Sequence, residues 1–193
     1  MSKSPRIYLA GPEVFLPDAL AVGAEKARIC ATHGLEGVFP LDASLDLAGL
    51  TKLEQARKIS LTNEGLMRSC DAIVANLTPF RGVSMDSGTA FEVGFMRALG
   101  RPVLGYTNSS RCYKPRAEEY RAGRRLSEDC DRPEYEVENF DMTENLMITI
   151  AIAESGFGVA HFVPPPERQM AALEAFTICV QMAAKALTPK SKG

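Results

Sequence analysis

The sequence predicts an α/β protein with one doubly wound, mainly parallel sheet and helices on both faces. Two observations carry this. Short apolar runs of strand length recur at residues 6–10, 36–41, 71–77, 101–106 and 158–163. Between them lie segments whose apolar residues return at helical spacing, and strands joined through helices pair in parallel. Five such strands point to a flavodoxin-like, Rossmann-like order. A chain of 193 residues fits one domain and buries roughly 70% of the surface its unfolded form exposes. Neither an internal repeat nor a second domain is visible, so residues 1–193 read as one domain with a charged, loop-rich excursion at about 107–140.

Residues 6–10, RIYLA, combine β-branched and aromatic residues and stop at Gly11 and Pro12, as a buried first strand meets its loop. Tyr8 lies near the carboxyl end of that strand, where its ring packs in the core and its hydroxyl can reach a partner. From 17 to 33, Leu20, Val22, Ala27 and Ile29, with Gly23 as the one breaker, predict a helix that ends at Gly34. EGVFPL, 36–41, is the second strand. Leu53, Ala56, Ile59, Leu61, Leu66 and Met67 predict a helix over 51–69, and Thr51 with Glu54 has the spacing of a capping box. DAIVANL, 71–77, reads as a central strand, 89–99 as a helix ended at Gly100, and RPVLGY, 101–106, as the next strand.

Beyond residue 107 the composition turns to charge of mixed sign, which predicts a solvated excursion holding one short helix. Phosphate binding by its arginines is the alternative. A helix over 143–154, a last strand over 158–163 and a terminal helix starting at Pro164, Pro165 and Pro166 complete the pattern. The tail TPKSKG is expected to be mobile.

A hydrophobic fraction of 46%, a charged fraction of 24% and a net charge of -2 are those of an ordinary globular protein and give no electrostatic reason to bind a nucleic acid polymer. The first apolar run is broken too soon by Gly11 and Pro12 for a signal peptide, and no segment reaches membrane-spanning length, so a cytoplasmic protein is expected. Five cysteines, an odd number without a C-x-x-C pair, read as reduced thiols packed like small apolar groups. His33 and His161 are isolated and read as structural, so no metal site is expected. Neither G-x-x-x-x-G-K-[ST] nor a G-x-G-x-x-G after the first strand is present, and no cofactor is expected.

The stretch most suggestive of chemistry is NLTPFRGVSMDSGTAFEVG, 76–94, which leaves the central strand, passes Pro79 and Gly82, and reaches a helix start with two acids, Asp86 and Glu92. Ligands of open α/β sheets bind outside the carboxyl ends of the strands, where this loop lies. Within one helix, residues six apart lie on different faces. With Asp86 in the loop and Glu92 in the first turns, around Ser87, Gly88 and Thr89, both acids face one crevice. The helix dipole then keeps Glu92 ionised. A fixed carboxylate can attack an acetal-type carbon, as in retaining glycoside hydrolysis. The alternative is a helix-start acid that complements the dipole and does nothing else.

YLAGP at 8–12, Phe15, CDAIVANLTPFRG at 70–82 and DSGTAFEVG at 86–94 together resemble the nucleoside 2-deoxyribosyltransferase family, in the branch with Gly-Pro after the first strand. The likeness runs from residue 6 to about 106 and resumes at NLM, 145–147. The resemblance implies that Glu92 is the nucleophile, attacking the anomeric carbon of a 2'-deoxynucleoside, with a second base taking the sugar and overall retention. It implies that Tyr8 orients Glu92, that Asp86 holds sugar hydroxyls or the base edge, and that Phe15 lies against the base. Gly11, Gly88 and Met147 fall inside the same motifs and are expected to line the substrate site. Asn145 is expected to reach the sugar of a neighbouring subunit, which requires a homo-oligomer.

One position departs from the pattern. Some family members carry an aspartate on the helix before the central strand that bonds the departing base, and here that place is held by Asn63. An amide binds a base edge without protonating it, so the proton comes from Asp86 or water, or the bases used need less help to leave. Two other readings stand beside base exchange. Hydrolysis of deoxynucleoside monophosphates uses the same nucleophile, but Asp86 repels a phosphate. A non-catalytic nucleotide sensor has no need of Tyr8, Asp86, Glu92 and Asn145 together.

Overall fold

The computed structural model describes residues 3–40, 45–123 and 134–188. Its strands are β1 (Arg6–Ala10), β2 (Glu36–Val38), β3 (Ala72–Asn76), β4 (Val103–Thr107) and β5 (Ala160–His161). They form one parallel sheet in the order β2-β1-β3-β4-β5, the flavodoxin-like arrangement expected. Tyr8 pairs in register with Val38 on one side and Ile73 on the other, so β1 lies inside the sheet, next to the central strand β3. β5 is two residues long, shorter than the predicted 158–163, because it pairs β4 only through Ala160 and His161.

The helices are α1 (Ala19–Thr32), α2 (Lys52–Arg68), α3 (Ser87–Ala98), α4 (Tyr113–Gly123), α5 (Leu146–Ala153) and α6 (Glu174–Leu187). Alternation along β1 divides the core: Ile7 and Leu9 face α1 and α6, whereas Tyr8 and Ala10 face the side covered by α2, α3 and α5. α2 starts at the predicted capping box, with Glu54 N–H donating to Thr51 Oγ1 and Thr51 N–H to Glu54 Oε2. α1 ends where Gly34 takes a left-handed conformation (φ 76°).

Several predicted boundaries shift, β2 ending at Val38 and α5 starting at Leu146 among them. The three prolines do not open α6: Pro166–Arg168 form a short 3-10 turn, and the helix begins at Glu174. The charged excursion contributes α4, but Arg116 is not surface. It is buried and donates to the carbonyls of Val83, Arg111 and Thr143. Residues 189–193 of the tail and Cys130 lie outside the described residues. Cys30, Cys70 and Cys179 are free and buried, and burial pushes the Cys30 and Cys179 thiols up to about 12, which makes them inert. His33 and His161 serve local contacts, with Ile29 O and Thr143 Oγ1. Among the described residues no helix is long and apolar enough to cross a membrane.

The core also encloses charge. Glu13, in the 3-10 turn Pro12–Phe15 after β1, is buried with Lys26 of α1. Glu13 Oε1 accepts from Lys26 Nζ, from Tyr106 Oη (2.7 Å) and from Asn76 Nδ2 (3.1 Å), and the ammonium stands 5.0 Å from the Phe176 ring centre. This cluster ties the turn to β3, β4 and α1. A side chain at Gly11 would collide with the Glu13 carboxylate, which is why the chain needs glycine there.

Candidate active site

In this strand order the connections from β1 and β3 leave in opposite directions, opening a crevice at their carboxyl ends. A cavity of about 470 Å³ lies there, within the usual size range for a small-molecule site. Val14, Phe15, Pro40, Leu45, Leu47 and Ile59 supply its apolar wall, and Asn63, Asp86, Gly88, Thr89 and Glu92 its polar one.

Asp86 is the N-cap of α3, its Oδ2 accepting from Thr89 N–H (2.9 Å) and Thr89 Oγ1 (3.1 Å). The helix-start role considered for Glu92 thus belongs to Asp86. Glu92 sits in the second turn, six residues on, and reaches Tyr8 of β1. The Tyr8 hydroxyl donates to Glu92 Oε1 at 2.6 Å.

The expected ionisation of Glu92 by the helix dipole is overturned. The dipole acts within the first turn, and Glu92 lies beyond it. Burial dominates, raising the carboxyl from 4.5 to about 7; the Tyr8 hydrogen bond opposes this, and the Asp86 charge adds to it. Tyr8 is itself raised well above its ordinary value, first by burial and then by the Glu92 charge, so it stays protonated and donates. The pair is a basic carboxylate held by a neutral phenol.

At the cavity wall Phe15 stacks on Phe80 with ring centres 5.6 Å apart and planes within 8°, and the Arg81 guanidinium lies 4.8 Å and 4.6 Å from the two centres. Arg81 holds this place in a left-handed conformation (φ 56°). Phe80 and Arg81 were not singled out from the sequence, although they lie inside the PFRG motif.

Of the expected site residues, Tyr8, Phe15, Asn63, Asp86, Gly88 and Glu92 come together around the cavity. Gly11, Asn145 and Met147 do not line it. Gly11 makes room for Glu13. Asn145 caps α5, accepting from Met147 N–H (3.0 Å) and donating to Glu138 (3.0 Å), and Met147 is 71% exposed. Asp71 stands at the other end of the sheet, accepting from Arg6 N–H (2.8 Å). Among the described residues no three His, Cys, Asp or Glu side chains are grouped to hold a metal ion.

A family model described as nucleoside 2-deoxyribosyltransferase matches residues 7–147. The solved 2-desoxiribosyltransferase of Leishmania mexicana superposes with a TM-score of 0.58 at 30% identity, over 88% of this chain and 96% of its own. A conserved protein of Enterococcus faecalis V583 shares the fold, with a TM-score of 0.56 at 19% identity over 93% of this chain and 99% of its own. An uncharacterized protein of Schizosaccharomyces pombe is 38% identical over 121 residues, 62% of this chain, and the chain spans 57% of the length of that curated relative. A match that takes in the strand bearing Tyr8, the loop bearing Asp86 and the helix bearing Glu92 leaves no ambiguity of kinship: the chain belongs to the nucleoside 2-deoxyribosyltransferase family.

Proposed function

We infer that this protein is a pentosyltransferase that exchanges the base of 2'-deoxynucleosides through a deoxyribosyl ester on Glu92. The observation that carries the reading is the 2.6 Å bond from Tyr8 to Glu92 inside a cavity shared with Asp86. Tyr8 engages Oε1 and so directs Oε2 toward the sugar. Oε2 attacks C1' as the bond from C1' to the base nitrogen breaks, and the base leaves with that electron pair and takes a proton from Asp86 or water. An incoming base then attacks C1', frees the carboxylate and returns its N–H proton to the Asp86 carboxylate or water, and two displacements give retention. Asp86 uses Oδ2 for its cap, which leaves Oδ1 for a sugar hydroxyl or base edge. Where water supplies the proton, the charge of Asp86 joins that of Glu92 in favouring the positive character that develops on the sugar. The apolar wall with Phe15 suits a flat base, and Asn63 offers an amide to its edge. Such exchange serves nucleoside salvage.

Incubation with deoxyinosine and adenine is expected to yield deoxyadenosine faster than deoxyinosine alone releases deoxyribose. Equal release of free sugar with and without adenine would point to hydrolysis instead, with water as the acceptor.

The active unit in this reading is a homo-oligomer. α5, LMITIAIA, is apolar on every side, yet Met147 and Ile150 are exposed, and Phe91 of the adjoining α3 is 58% exposed. A second copy covering this face brings Asn145 toward the neighbour's sugar. Mixing inactive Glu92→Gln with impaired Asn145→Ala subunits, with subunit exchange allowed, is expected to raise activity above that of either variant, since one mixed site then holds both residues. A mixture no more active than its parts would confine Asn145 to its own chain.

A further inference from the structure

Glu144 does not line the cavity, yet it is fully buried and bonds both the loop that leads into Asp86 and the backbone of Asn145. Its Oε1 accepts from Ser84 Oγ (2.6 Å) and from Asn145 N–H (3.0 Å). Its Oε2 accepts from Met85 N–H (3.0 Å) and from Arg116 Nη2 (3.1 Å). Each oxygen thus accepts two bonds, which fills the acceptor capacity of a carboxylate. Met85 immediately precedes Asp86, and Asn145 immediately follows Glu144. The Arg116 fork gathers three further carbonyls, so the carboxylate cannot turn without breaking several bonds.

We propose that Glu144 is a positioning residue that sets Asp86 and Asn145 together, one carboxylate fixing both substrate-holding groups. This rests on the reading that Asp86 and Asn145 bind the deoxynucleoside. A buried ion pair contributes little net stability against an apolar replacement, so its use here is geometric: it specifies one arrangement of two segments that are otherwise loops. If Asn145 serves the adjoining subunit, the same carboxylate links each site to its neighbour. Glutamine cannot replace Glu144, because its amide end presents donors where two donors already point.

The test is a pair of double-mutant cycles on kcat/KM for base exchange, Glu144→Gln with Asp86→Ala and Glu144→Gln with Asn145→Ala, with folding checked by circular dichroism. Glu144→Gln alone is expected to lower kcat/KM roughly 10- to 100-fold, the scale of a small misplacement. In either alanine background its effect is expected to shrink to about twofold, because the group it positions is gone. Should Glu144→Gln fail to fold, Ser84→Ala, which removes one of the four bonds, takes its place and is expected to couple to Asp86 alone. Undiminished effects in the Asp86 cycle, or for Glu144→Gln in either cycle, overturn the proposal. Wild-type rates in both alanine single variants overturn the substrate-binding reading beneath it, and the two failures are thereby told apart.

Discussion

Glu92→Gln is expected to abolish base exchange, by about four orders of magnitude or more, while raising the melting temperature at alkaline pH. The activity loss follows from removing the group proposed to form the sugar ester; an amide oxygen still accepts from Tyr8 but is a poor nucleophile. The stability gain follows from linkage. The folded carboxyl titrates at about 7 instead of 4.5. Between those values the folded chain holds a proton that the unfolded chain has released, so stability falls as pH rises through that window. Above it, the ionised buried carboxylate costs the fold roughly 2–3 kcal/mol after solvent screening at the open side. Glutamine has no such cost. Thermal melts at pH 8 should place the variant above the wild type, and melts near pH 4.5 should bring the two together. A constant difference across that range would contradict the raised carboxyl.

The same titration governs activity. In the proposed reaction the ionised form attacks, so kcat/KM is expected to rise with pH and level off above about 7. Tyr8→Phe removes the bond that holds the carboxyl down, so the acid limb should move to higher pH as the rate drops. A limb that stays in place would remove Tyr8 from the account.

Lys26→Met is expected to have the largest effect on stability, a loss of about 3–5 kcal/mol in urea denaturation, because it leaves the buried Glu13 carboxylate without its cation. Tyr106 and Asn76 still donate to Glu13, but neither carries a charge. Adding Glu13→Gln to Lys26→Met should recover most of the loss, since a neutral amide does not need a cation. A small loss in the single variant, or no recovery in the double, would mean that the pair is not the organising contact of the turn that carries Phe15.

Much of the architecture was legible because each element announces itself locally. The apolar runs, the Thr51 capping box and the glycines at 34 and 100 became strands, a helix start and helix ends. The site was legible as far as motifs reach: Tyr8 and Glu92 lie 84 residues apart and meet as expected. The ionisation of Glu92 was misjudged because a local rule, the dipole, was applied to a group whose surroundings are set by tertiary burial. The proline triplet misled for a related reason, since it fits a helix start equally well whether a 3-10 turn or an α-helix follows. Glu13, Arg116 and Glu144 were not found, because a charged residue gives no local sign of being enclosed. For Lys26 a sign existed: it stands four residues from both Val22 and Cys30, on the buried stripe of α1.

The cavity divides its work between different parts of the chain. Within one chain's cavity the groups assigned to the sugar come from β1 and the start of α3, whereas Leu45, Leu47, Ile59 and Asn63 come from α2 and the segment that leads into it. These two sets can drift independently. Substitutions along α2 reshape the space for a base without disturbing the bond between Tyr8 and Glu92, so one bond-making apparatus can be inherited unchanged while the range of accepted bases diverges. A directed search for new base analogues has its natural library in α2, with β1 and α3 held constant.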